Sequence, residues 1–176
     1  ELIPDLIDGL ERWRGAATRR GDRNGERAAT LRLVEILGKE GAAEQARHAL
    51  AEWVAREPGD TQALRMLMDL DSAAGRWEAV IESCTALVAA ETGDGQIKAV
   101  LQLVEATEKV GRPGDAKAGL EIANKAQPRN EAVRGRLKQI YEEEENYLAL
   151  ARILIGEASG VEDESARFLM LRQAGE

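Results

Sequence analysis

The sequence holds one histidine and one cysteine, His48 and Cys84, the residue types best suited to serve as a base near neutral pH and as a thiolate nucleophile. His48 lies in the helical run Ala46-Arg47-His48-Ala49 with no nucleophile beside it in sequence, which makes it a surface or interface residue. Cys84 occupies a position that Leu50 and Leu120 hold elsewhere in the chain, so it reads as a packed, inert thiol. One His and one Cys cannot supply the roughly four ligands of a His/Cys zinc site, and a lone Cys closes no intramolecular disulfide. The run Glu142 to Glu145 offers carboxylate oxygens to a hard cation. Successive helical residues point about 100° apart, however, so the four cannot converge on one ion, and the run reads as a solvated helix end or turn. Glycine is plentiful, at 17, but no glycine-rich loop ends in Gly-Lys-Ser/Thr and no strand precedes a glycine cluster, so no nucleotide cradle is present. No catalytic residue, metal ligand or cofactor contact is assigned, and the chain is expected not to be an enzyme.

Charge narrows the partners. Arg12, Arg14, Arg19, Arg20, Arg23 and Arg27 form one basic concentration, yet residues 1–32 balance seven Arg against six acids, residues 131–176 carry six bases against ten acids, and the net charge is −8. Nucleic acid is a poor partner for that field. No segment approaches the roughly 18 uninterrupted apolar residues of a membrane span. With 176 residues, 32% charged and 44% apolar, the chain is expected to form one compact domain or one continuous array. It opens on Glu1-Leu2-Ile3-Pro4-Asp5, without an initiator Met, a basic n-region or an apolar h-region, and is read as part of a longer chain. The compartment stays open, with the unpaired cysteine leaning toward the cytoplasm.

An internal repeat supplies the elements. Pro58-Gly59-Asp60 recurs as Thr92-Gly93-Asp94 and as Pro128-Arg129-Asn130, at spacings of 34 and 36, and Gly41, Gly75 and Gly111 share those spacings. So do Ala46, Val80 and Ala116, and Leu50, Cys84 and Leu120, while Leu33, Leu67, Leu101 and Leu137 extend the register to a fourth unit. Apolar residues such as Ala63, Leu67 and Leu70, or Ile97, Leu101 and Val104, fall at i, i+4 and i+7, which is helical spacing. The mid-unit glycine breaks this helix, and a second apolar series follows, as in Ala46, Leu50, Trp53 and Val54. Asp60, Asp94 and Asn130 stand where the next first helix should start and are expected to cap it, and Pro113 fits a first helical turn. The expected units are 27–60, 61–94, 95–130 and 131–164. An orphan helix at 5–18, with Leu6, Leu10, Trp13 and Ala17 on one face, precedes them, and the start of a further unit follows at 165–174. The two extra residues of the third unit should lengthen its first helix. Trp13, Trp53 and Trp77 are read as core or interface anchors.

A helix-turn-helix unit of 34 residues resembles the tetratricopeptide repeat. The similarity rests on Leu33, Leu67, Leu101 and Leu137, on Ala46, Val80, Ala116 and Leu150, on Pro58 and Pro128, and on the segment Gly75-Arg76-Trp77-Glu78-Ala79-Val80. Tyr141 alone keeps the family's Tyr, and Val34, Met68, Gln102 and Lys138 replace the Gly after the Leu, so the chain resembles a divergent, bacterial-type member. The resemblance implies an all-α fold, a right-handed superhelical array of antiparallel helix pairs forming an α-solenoid. It also implies a protein-binding scaffold whose first helices line a concave groove for a partner's peptide or helix.

If Leu67 and Leu70 face inward, Gln62, Arg65 and Asp69 point to the opposite face, and the same offsets select Glu35, Gln96, Leu103 and Gln139. With Glu35 and Asp69 on that face an acidic tail would be repelled, and a neutral or basic peptide is favoured. The competing reading is a structural or oligomerisation segment that self-associates, or stacks on other parts of a parent chain, through its terminal helices.

Overall fold

The computed structural model describes residues 2–158 together with Phe168 and Arg172, and every regular element among them is helical. The chain divides into two compact units, residues 1–90 and 91–176. In the first, α1 (Leu2–Arg20) precedes two hairpins, α2 (Arg23–Lys39) with α3 (Ala43–Arg56) and α4 (Thr61–Ala73) with α5 (Trp77–Ala90). In the second, α6 (Gly93–Lys109) leads through a short 3-10 helix (Pro113–Ala116) into α7 (Lys117–Ala126), and α8 (Glu131–Glu143) pairs with α9 (Tyr147–Ala158). Within each unit the helices pack on their neighbours in the chain. The helix expected at 165–174 lies outside the described residues, apart from Phe168 and Arg172.

The hairpin turns repeat one chemical solution. Gly41, Gly75 and Gly111 adopt φ of 72°, 69° and 72°, the left-handed conformation that ends a helix without a Cβ clash. The amide after each turn residue reaches back to the carbonyl five residues earlier: Ala42 to Leu37, Arg76 to Asp71 and Arg112 to Thr107, at 2.8 to 2.9 Å. The fourth hairpin uses the same bond, from Asn146 to Tyr141 at 2.8 Å, but its left-handed residue is Glu145, with φ of 55°. The acidic run Glu142 to Glu145 is thus the end of α8 and the turn after it, as its composition suggested.

Counting from these turns corrects the register of α6. Leu33, Leu67, Leu103 and Leu137 each stand eight residues before the turn residue, and all four are buried. Four residues earlier, Ala29, Ala63, Ala99 and Val133 are completely buried. The core leucine of the third hairpin is therefore Leu103, not Leu101, which is only half-buried. The two extra residues do lengthen a first helix, but at its start: α6 begins at Gly93 and its core residues follow those of α4 by 36 positions. For the same reason Asp94 caps nothing. It is the second residue of α6, preceded at the cap by Thr92, whose side chain makes no cap bond. Asp60 and Asn130 cap as expected, accepting from the amides of Ala63 at 3.2 Å and Val133 at 3.1 Å. Asp22 opens α2 in the same way, five residues before the expected start of the first unit, accepting from the Gly25 amide at 2.9 Å. Pro113 opens the 3-10 helix ahead of α7.

α1 also departs from expectation. Leu10 and Ala17 are buried and Ile7 packs against the core, but Leu6 and Trp13 remain 45% and 47% exposed. The apolar arc of this helix is wider than its packing on α2 can cover.

Candidate functional site

In residues 1–90, Asp60 ties the two hairpins together. Its side chain is 8% exposed and accepts from Arg27 Nε at 2.6 Å and Arg27 Nη2 at 3.2 Å, from the Trp53 indole N–H at 2.9 Å, and from the Ala63 amide. Arg27 Nη2 also donates to Gln62 Oε1 at 2.9 Å. Burial pushes the Asp60 carboxyl up, but these donors and the charge of Arg27 outweigh it and hold the group below the ordinary carboxylate range. A second anchor lies at the α4–α5 turn, where Arg47 Nε donates to the buried Asp71 Oδ1 at 2.5 Å and Arg76 pairs with both Asp71 and Glu44. Asp71 Oδ2 is buried without a protein partner.

Five of the seven groove candidates lie at or near the surface. Glu35 is exposed and held by Arg32 and Lys39; the hydrogen bond from Lys39 is the larger cause keeping its carboxyl low. Gln62 is exposed but engaged by Arg27, Asp69 is exposed, Arg65 is half-buried, and Gln139 is exposed and donates to Glu143 at 3.2 Å. Gln96 and Leu103 are buried, so neither side chain is presented to a partner. The shifted register of α6 is the cause: 34 residues on from Gln62 and Asp69 fall core positions, whereas 36 residues on fall the exposed Lys98 and Glu105. Counted from the turns, one slot reads Glu35, Asp69, Glu105 and Gln139, each six residues before its turn residue and each exposed. Glu105 was overlooked; the glycine register, rather than the leucine spacing, would have found it.

The residues with reactive side chains are placed as the sequence suggested. His48 is exposed, 3.4 Å from Glu52 on the same helix. Cys84 is buried with its sulfur 3.5 Å from that of Met68, and burial pushes the thiol up to about 12. Trp53 is a core anchor and Trp77 is half-buried, whereas Trp13 is largely at the surface. Among the described residues no group of three or more His, Cys, Asp or Glu could hold a metal ion, and no helix is long and apolar enough to cross a membrane.

No protein-family model matches the chain, and no curated protein matches it. Among solved structures it is similar to a tetratricopeptide repeat protein from Parabacteroides merdae, with a TM-score of 0.50 and 12% identity over 97% of this chain and 72% of that one. At that identity the likeness speaks of the fold: the chain is all-α, built of tandem hairpins of tetratricopeptide type.

Proposed function

We propose that the chain is a non-catalytic protein-interaction scaffold that takes a neutral or basic peptide or helix of a partner protein along its first helices. Within residues 1–90 the contacts are Glu35, Gln62, Arg65 and Asp69; within residues 91–176, taken by itself, they are Glu105 and Gln139. The observation that carries this reading is the exposed slot with a carboxylate in three of the four hairpins, Glu35, Asp69 and Glu105. A carboxylate at a fixed helical position in three of the hairpins favours a cationic incoming chain there, least at Glu35, which Arg32 and Lys39 already pair with, and it acts mainly on encounter rate and selectivity.

Fluorescence titration of the 176-residue chain with a labelled Leu/Lys peptide and its Leu/Glu counterpart tests the proposal. The Lys peptide should bind about tenfold more tightly at low salt. Glu35→Lys with Asp69→Lys should abolish that preference; equal affinity of the two peptides for the unmodified chain rules the reading out. A second reading, self-association through a terminal helix, is favoured by the half-exposed Leu6 and Trp13 on α1.

A further inference from the structure

The outward face of α1 carries a pattern that its own unit does not use. Leu6, Gly9, Trp13 and Ala16 fall at spacings of three, four and three, so they share one stripe of the helix. Leu6 and Trp13 are half-exposed, and Gly9 is exposed in the interior of a 19-residue helix. A helix-interior glycine costs about 0.8–1.0 kcal/mol relative to alanine. Nothing among the described residues requires one here: a Cβ built on Gly9 meets none of their atoms within 4 Å, and its φ is not positive. An unforced glycine beside an exposed tryptophan makes room for a close approach from outside.

The stripe is complementary to itself when reversed. In an antiparallel pair of α1 helices related by a two-fold axis midway between positions 9 and 13, Gly9 faces Trp13 of the other copy and Leu6 faces Ala16, so each large residue meets a small one. The charges favour the same direction. Asp5 lies in the first turn of α1 and Arg19 and Arg20 in its last, while Asp8 and Arg12 pair with each other at 2.6 Å and Glu11 lies at the middle of the helix. Antiparallel pairing sets the acidic first turn of each copy along the basic last turn of the other, whereas parallel pairing sets like against like.

We infer that the occupant of this face is a second copy of the same chain, docked as an antiparallel α1–α1 pair with Trp13 of each copy seated over Gly9 of the other. This deepens the self-association reading and does not depend on peptide binding by the first helices.

Sedimentation of the 176-residue chain without added peptide, up to about 0.5 mM, tests it, because an association must respond to concentration. The unmodified chain should shift from monomer toward dimer. Gly9→Gln should raise the dimer dissociation constant at least about tenfold, by filling the seat of the tryptophan. Its melting temperature should stay the same or rise, since glutamine is the better helix former and the site is open. Arg19→Glu should weaken the dimer at low salt, and adding Asp5→Lys should restore it. A chain that stays monomeric throughout, or a Gly9→Gln variant that dimerises like the unmodified chain, overturns the inference. If peptide binding fails while dimerisation follows this pattern, only the scaffold reading falls.

Discussion

The two units cap the first helix of their second hairpin with the same geometry and anchor it differently. Asp60 and Asn130 each accept one amide bond from the third residue of the following helix, at 3.2 and 3.1 Å. Asp60 also accepts from Arg27 and Trp53. The residues in the matching slots of the second unit are Ile97 and Ala123, which offer no donor. The second unit relies instead on Glu157, which pairs with Lys138 at 3.0 Å and Arg134 at 3.4 Å, and on Tyr141, whose hydroxyl donates to Glu121 at 2.8 Å. One carboxyl oxygen pair can thus serve as cap, salt bridge and indole acceptor together, because an ionised carboxylate offers about four acceptor sites on two oxygens, and a charge for Arg27, where a neutral amide oxygen offers about two.

The largest expected effect tests whether the units share a core register at all. Leu103→Ala should cost about 2–5 kcal/mol in denaturant melts, as should Leu67→Ala, whereas Leu101→Ala should cost clearly less because that residue is only half-buried. The reverse order would return Leu101 to the core position and undo the correction to α6.

The next effect separates the anchors. Asp60→Ala removes a cap and strands the buried indole N–H together with part of Arg27, for a loss of about 2–4 kcal/mol, while Asn130→Ala removes a cap alone and should cost about 1 kcal/mol. Equal losses would show that the extra partners of Asp60 add nothing. The difference has a pH signature. Because the folded-state pKa of Asp60 is depressed, its contribution is complete above the ordinary aspartate value of about 3.9 and is lost as pH falls through the folded value. The stability gap between the unmodified chain and Asp60→Asn should therefore be constant near neutrality and close in acid.

The smallest effect concerns the turn that differs. Glu145 holds a left-handed conformation that glycine occupies in the other three hairpins, and it is exposed. Glu145→Gly should raise stability by about 0.5–1 kcal/mol, the left-handed penalty less the entropy that glycine loses on folding. A thermal melt that shows destabilisation would mean the acidic side chain contributes something the turn geometry does not.

Much of this was legible in the sequence. Gly41, Gly75 and Gly111 marked the breaks because only a residue without a Cβ takes that conformation freely, and Asp60 and Asn130 marked helix starts because short polar side chains reach unpaired amides. These are local requirements, met within a few residues of chain, so the residue type reports them directly. The helical hairpin and its approximate period followed from the same marks. The register of α6 did not, because Leu101 and Leu103 are equally good core leucines until the turn at Gly111 is placed beneath them. Nor did the surplus of apolar surface on α1, since Leu6 and Leu10 look alike in sequence and only packing against α2 buries one and leaves the other exposed. The partners of Asp60 were hidden for a related reason: Arg27 lies 33 residues away, and a long side chain's target is fixed by how two helices are set against each other, which neighbouring residues in the chain do not encode. Sequence thus determined the glycine turns, the caps at Asp60 and Asn130 and the pairing of helices into hairpins, which depend on bonds between near neighbours. The tertiary structure decided which of several similar side chains each helix buries, because burial is settled by what arrives on the other side.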